Sequence, residues 1–110
     1  MNKATQSKGA GTTLQDIFQT LREHLPELRQ RYKVKSLGVF GSRVRAEARA
    51  ESDIDILVEF EDQDAPLGLL EFIALKYYLS DLLGLKVDLV EKTALKPGIG
   101  RRILQEVVPV

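Results

Sequence analysis

Apolar residues recur with two different periods along the 110-residue chain, and the alternation of those periods predicts its architecture. Leu14, Ile17, Phe18, Leu21, Leu25 and Leu28 stand three and four residues apart, a stripe along one side of a helix. Thr13 precedes the stripe as its N-cap, with Asp16 in the capping-box position as a shorter stand-in for Glu. Pro26 falls inside the stripe and predicts a kink, or a fresh helix start at HLPELRQRY. A short β-type run from Lys35 follows and ends in Gly41. Residues 43–49 are rich in Arg, Ala and Glu and suit a short helix. Asp53–Phe60 reads as a strand, with Ile54, Ile56, Val58 and Phe60 on one face and Asp53, Asp55, Leu57 and Glu59 on the other. EDQDAP is a loop. Leu67–Leu83 is a second helix whose apolar positions include Leu69, Leu70, Ile73, Tyr77, Leu82 and Leu83, closed by Gly84. Leu85–Val90 is a third strand, with Lys86, Asp88 and Val90 opposite Val87 and Leu89. PGIGRRILQEV is a short final helix weakened by Gly98 and Gly100. Strands alternating with helices give an α/β (α+β) domain around a small mixed sheet of three or four strands, flanked by helices.

Composition narrows the picture without redrawing it. The length fits one domain, residues 12–110, behind a flexible leader at 1–11 made of Lys, Ser, Gly and Ala without periodicity. No apolar run approaches a membrane span, and no apolar segment follows the N-terminal lysines as a secretory signal would require. The chain has no cysteine, so thiolate metal sites and disulfides are excluded and a reducing cytoplasm is the default compartment. Sixteen basic and sixteen acidic residues cancel. A protein gripping nucleic acid through many phosphates carries a basic excess, so the balance disfavours a nucleic-acid partner. The local basic clusters (Arg29, Arg31, Lys33 and Lys35; Arg43, Arg45 and Arg49; Arg101 and Arg102) each lie near acids and read first as solvated surface. His24, the single histidine, sits among helical residues far from any acid cluster in sequence, and Tyr77 and Tyr78 read as core and rim of the second helix.

Chemistry concentrates in GSRVRAEARAESDID, residues 41–55. Asp53 and Asp55 point the same way on a strand, roughly 6–7 Å apart. At an effective dielectric near 20, two such charges repel by about 2.5–3 kcal/mol. Solvent exposure or a divalent cation must offset that cost, and magnesium is held by one or two carboxylates together with substrate phosphates. Asp88 is a lone acid in Lys-Val-Asp-Leu-Val. If the third strand lies beside the second with its acid on the same face, three carboxylates converge, enough for two magnesium ions in an in-line phosphoryl displacement. The alternative is that Asp53 caps a turn and Asp88 sits on a wet face. Gly41 ends a strand, lets the backbone turn tightly and approach a ligand closely, and a helix starting there would aim N–H groups at a phosphate. The Ser42 hydroxyl adds a donor.

Gly41-Ser42, the intervening residues 43–52, Asp53-Ile54-Asp55 and a later strand-borne Asp88 together resemble the DNA-polymerase-β-type nucleotidyltransferase superfamily. The wording VFGSRVRAEARAESDIDILVEF is similar to its minimal nucleotidyltransferase (MNT) branch, including the antitoxins of that branch, and the resemblance covers residues 14–108. It implies a palm-like nucleotidyltransferase fold. It implies that Asp53 and Asp55 hold two Mg2+ ions and the triphosphate, and that Asp88 holds the catalytic metal and helps deprotonate an acceptor hydroxyl. Gly41 and Ser42 would bind the β- and γ-phosphates. Arg43 stands where it either neutralises phosphate charge or pairs with the acids. Ala46 departs from the glycine that branch members often carry, which bears on loop shape more than on chemistry. ATP as donor follows from the resemblance alone, because no residue stands out as a base-recognition element.

The leading reading is therefore an enzyme, a magnesium-dependent nucleotidyltransferase that moves AMP from ATP to a hydroxyl. In the minimal branch the implied acceptor is a tyrosine of a partner HEPN-family toxin, and the chain acts as its antitoxin. A second reading is a non-catalytic binding module that neutralises its partner by contact, with apolar residues such as Leu67, Ile99 and Val110 at the interface. A third is nucleotidyl transfer to RNA or a small molecule.

Overall fold

The structure, a computed structural model, describes residues 13–47, 52–61 and 68–110. The expected leader at 1–11, Arg49 and Leu67 lie outside that set. Helix α1 (Leu14–Tyr32) begins with the predicted capping box: the Asp16 N–H donates to Thr13 Oγ1 at 3.0 Å and the Thr13 N–H to Asp16 Oδ2 at 3.3 Å. The helix runs through Pro26 without restarting, against one of the two expected outcomes. Ile17, Phe18, Leu21 and Leu28 are buried on both sides of the proline, and tertiary burial of that stripe outweighs the loss of one backbone hydrogen bond. His24 is half-buried and donates from Nδ1 to the Thr20 carbonyl at 2.9 Å within the helix. Lys33 ends the helix in the left-handed region.

Strands β1 (Val34–Phe40), β2 (Ile54–Phe60), β3 (Val87–Glu91) and β4 (Val108–Pro109) form one mixed sheet in the order β3-β2-β1-β4. β1 pairs antiparallel with β2 and β4, and β2 pairs parallel with β3. β4 carries no sequence signal, being two residues with a proline. It pairs because Gly38 leaves the room: a Cβ on Gly38 would come within 2.5 Å of Val107 Cγ2 and 3.3 Å of the Val108 carbonyl oxygen. α1 and helix α2 (Leu69–Leu83) cover one face of the sheet, and Ile54, Ile56, Val58, Val39, Val87 and Leu89 join Leu75, Leu79 and Leu83 in the core. A single 3-10 turn (Lys92–Ala94) and helix α3 (Ile99–Glu106) then return the chain to β4. On the sheet face away from the core, Gly38 and Leu57 share a cavity of about 180 Å3 with Leu104 and Val107.

The orientation of α2 corrects the sequence reading. Its core residues are Leu75, Leu79 and Leu83, whereas Leu69, Leu70 and Tyr77 are 73%, 78% and 61% exposed and Ile73 is exposed too. This helix is apolar nearly all round, so periodicity cannot select the buried face; contacts with β3 and α1 select it. Tyr77 is therefore surface rather than core. Tyr78 is half-buried, 6.0 Å from the Tyr32 ring, and its hydroxyl donates to Glu27 at 3.0 Å. Arg31 also bonds Glu27 and lies over both rings, so the first basic cluster contributes a residue to α1–α2 packing rather than to a nucleic-acid surface. Val110 packs against the core, and Ile99 is exposed as expected. Among the described residues, no helix is long and apolar enough to cross a membrane.

Candidate active site

Two hydrogen bonds set the register that brings the acids together. The Ile54 N–H donates to the Lys86 carbonyl at 2.9 Å, fixing the start of β2 against the approach to β3. The Val87 N–H donates to Ser80 Oγ at 3.1 Å, tying β3 to the last turns of α2. The parallel ladder then places Asp55 directly opposite Asp88. Paired positions on neighbouring strands are about 4.8 Å apart, and both side chains leave the face opposite the core. The expected convergence of the second and third strands is thus present for Asp55 and Asp88. Asp53 lies just before β2, exposed, close enough for its charge to act on Asp55.

Asp55 carries the strain of this arrangement. Burial, the repulsion of Asp88 and Asp53 and a hydrogen bond shared with Asp88 together push its pKa up to about 6, against the opposing charge of Arg45. Gly41 is packed against the same side chain. Its φ of +88° favours glycine, and a Cβ built there would collide with Asp55 Oδ2. The turn and the acid are therefore in direct contact, which explains why glycine stands at this position.

Residues 43–47 do not form the expected short helix. The Val44 and Arg45 N–H groups both donate to the Gly41 carbonyl, at 3.1 and 3.2 Å, and Glu47 N–H donates to the Ser42 carbonyl at 2.9 Å. This single turn breaks at Ala46, which sits at φ +62°. A left-handed non-glycine residue costs about 1–2 kcal/mol and stops propagation. The sequence departure at Ala46 is thus matched by local backbone strain. Arg43, the expected phosphate or acid partner, donates from Nη2 to the Ser52 carbonyl at 2.8 Å, bracing the two ends of the connection that carries Ser42 and Asp53.

Two residues near the turn escaped the sequence reading. Glu106 accepts the Gly41 N–H at 2.7 Å, and Arg45 Nη1 donates to both Glu106 oxygens at 2.9 and 3.0 Å while its Nε bonds Glu47 at 3.0 Å. Glu106 is the last residue of a short helix, 65 positions from Gly41, and nothing in its local sequence announces the contact. Arg45 was legible only as one member of a basic cluster.

Among the described residues, no three acidic or histidine side chains already stand at ion-coordinating separation. Magnesium asks for less, since it keeps several waters and takes one or two carboxylates with substrate phosphates. Asp55 and Asp88 are a pair of hard oxygen donors of that kind. The repulsion and desolvation that raise the Asp55 pKa are what a divalent cation relieves, so the donor set fits the ion.

A nucleotidyltransferase domain family matches residues 21–110, from the middle of α1 through the whole sheet. The chain belongs to that family. This nucleotidyltransferase is 53% identical over 98 residues to the protein adenylyltransferase MntA of Thermococcus cleftensis, covering 89% of this chain and 96% of that one. Its fold superposes on a solved minimal nucleotidyltransferase with a TM-score of 0.74 at 36% identity, over 93% of this chain and 100% of the other. It is also similar to a chain in a crystal structure of a toxin–antitoxin complex with AMP-PNP, with a TM-score of 0.62 and 25% identity over 84% of this chain and 68% of that one. The nucleotidyltransferase fold expected from the Gly-Ser and Asp-x-Asp pattern is the one observed, with four strands in its mixed sheet, within the three or four expected.

Proposed function

We propose that this nucleotidyltransferase transfers AMP from ATP to a hydroxyl of a partner protein, a tyrosine of a HEPN-family toxin, and thereby acts as its antitoxin. The observation that carries the reading is the pairing of Asp55 with Asp88 on adjacent parallel strands, backed by the Gly41 turn. The adenylyltransferase name of the Thermococcus relative supports AMP as the transferred group and protein as the acceptor class. The toxin–antitoxin complex with AMP-PNP supports an adenine nucleotide and a toxin partner.

In this reading, Gly41 and Ser42 receive the β- and γ-phosphates, and Asp53, Asp55 and Asp88 hold Mg2+. Magnesium, when bound, supplies charge neutralisation for the phosphates and for the acids themselves. The acceptor oxygen forms a bond to the α-phosphorus as the bond to pyrophosphate breaks, and the hydroxyl proton passes to Asp88. Little further chemistry is asked of the protein, because such transfers depend on positioning and charge stabilisation. Arg43, which braces its loop through the Ser52 carbonyl, would add its positive charge on the phosphate side of the site.

The test is incubation with labelled ATP, magnesium and the HEPN toxin, comparing the natural chain with the Asp53→Asn/Asp55→Asn double variant. Label on a toxin tyrosine with the natural chain and none with the double variant is expected. A double variant that still neutralises the toxin without transferring label would instead support the contact-only antitoxin reading.

A further inference from the structure

Glu106 is held in place by an arrangement built from two distant parts of the chain, β1 and β4. The β1–β4 ladder pairs Val39 with Val108 and Gly38 with Pro109. Extending that antiparallel register places Glu106 opposite Gly41. At that point the chain is already helical, so the Glu106 carboxylate, rather than a backbone carbonyl, takes the Gly41 N–H. The same carboxylate receives Arg45 at both oxygens. Just beyond it, β4 and the Val110 N–H, which donates to the Leu37 carbonyl at 2.9 Å, fix the backbone that carries Glu106. Burial alone would raise its pKa, but the Gly41 N–H and Arg45 outweigh burial and hold it below the usual carboxylate range, so it is an anion at neutral pH.

Arg45 is thereby set in a defined place. Its guanidinium is shared between Glu47, on the turn itself, and Glu106, on α3, and its positive charge acts on Asp55. With only Glu47, both partners would move together with the turn. Glu106 refers the turn to the scaffold.

We propose that Glu106 is a positioning residue for the phosphate turn: it clamps the Gly41 backbone and fixes the Arg45 guanidinium on that turn, so that the triphosphate of ATP meets a preformed turn and a fixed cation. This rests on the nucleotidyl-transfer reading above. Glu106 does not itself touch the nucleotide; it acts through Gly41 and Arg45. Preorganisation of this kind appears in nucleotide affinity, because the ordering of the turn and of a long side chain is completed before binding.

The experiment measures magnesium–ATP binding to the full chain by titration calorimetry for the natural protein, Glu106→Gln, Arg45→Gln and the double variant, with a thermal melt of each. Glutamine keeps an oxygen for the Gly41 N–H and removes the charge that holds Arg45. The expected result is about tenfold weaker binding for Glu106→Gln with its melting midpoint nearly unchanged, and a double variant no weaker than Arg45→Gln alone, the non-additivity of residues that act as a unit. Additive losses, or a loss that tracks a lowered melting midpoint, would reduce Glu106 to a structural residue and overturn the proposal. Unchanged binding overturns it as well. Tighter binding by Glu106→Gln overturns it differently, by showing that the carboxylate competes with the triphosphate for the turn. A natural chain that binds no magnesium–ATP overturns the functional reading on which the proposal stands.

Discussion

Replacing Asp55 by asparagine should stabilise this protein above neutral pH while abolishing nucleotidyl transfer. Folding moves the Asp55 pKa from 3.8 to about 6, through burial and the charges of Asp88 and Asp53. A carboxyl with a raised folded-state pKa binds its proton more tightly in the native than in the unfolded chain. Its contribution is therefore neutral well below pH 3.8, becomes progressively unfavourable between about pH 4 and 6, and is fully unfavourable above pH 6. A tenfold change in proton affinity corresponds to about 1.4 kcal/mol, so the full cost is about 3 kcal/mol, and solvent screening at this half-buried position brings it to about 1.5 kcal/mol. Asparagine has nearly the same shape, no charge, and an amide able to bond Asp88 as donor. Urea unfolding in EDTA should therefore show Asp55→Asn more stable than the natural chain by about 1.5 kcal/mol at pH 8, or about 6–10 °C in melting midpoint for a domain of this size. The gap should close as pH falls toward 4. Glu27 and Glu106 have pKa values displaced in the opposite sense, so the difference between the two proteins, and not either curve alone, reports Asp55. Magnesium should narrow the gap at pH 8 by stabilising the natural chain more. A variant no more stable than the natural chain at pH 8, or an advantage that stays constant from pH 8 to pH 4, would refute the account of Asp55 as a destabilised acid kept for function.

Gly41→Ala should cost about 2–4 kcal/mol in urea unfolding, combining left-handed backbone strain with the collision against Asp55; a loss below about 1 kcal/mol would mean that the turn relaxes freely away from the acid. The converse change, Ala46→Gly, should stabilise by up to about 1 kcal/mol, since it relieves a φ of +62° at an exposed position and gives back part of the gain as unfolded-state entropy; a clear destabilisation would contradict the turn geometry. Within α2, Leu70→Ser should change stability by less than about 0.5 kcal/mol, whereas Leu75→Ala should cost about 2–5 kcal/mol. The reverse ranking in a thermal melt would show that the helix presents its other face to the sheet.

The strain at the site is concentrated where the proposed chemistry is. Asp55 and Ala46 hold a charge state and a backbone conformation that folding alone would not favour, and both lie in the stretch that opens with the Gly41 turn. The core face of the same strand is ordinary packing: Ile54, Ile56 and Val58 are fully buried. One strand thus anchors the sheet with one face and carries the acids on the other, a division that alternation along β2 makes possible.

Local pattern by itself determined a good deal about this protein. The α1 stripe with its capping box, the two-faced β2 strand and the fixed interval from Gly41-Ser42 to Asp53 and Asp55 were readable because each depends on neighbours a few residues away. The acid on the third strand was readable as a candidate for the same reason. Only the tertiary structure decided what depends on distant partners. It selected the inner face of α2, because a helix apolar on all sides is oriented by what packs against it. It carried α1 through Pro26, because buried residues on both sides outweigh one missing hydrogen bond. It added β4, whose two residues pair only because Gly38 lets another backbone come close. It replaced the expected helix after Ser42 with a single turn broken at Ala46, and it brought Glu106 across 65 residues to the Gly41 N–H. Sequence spacing reports angles along one element; the contacts that shape this site run between elements, and their geometry exists only once the sheet has formed.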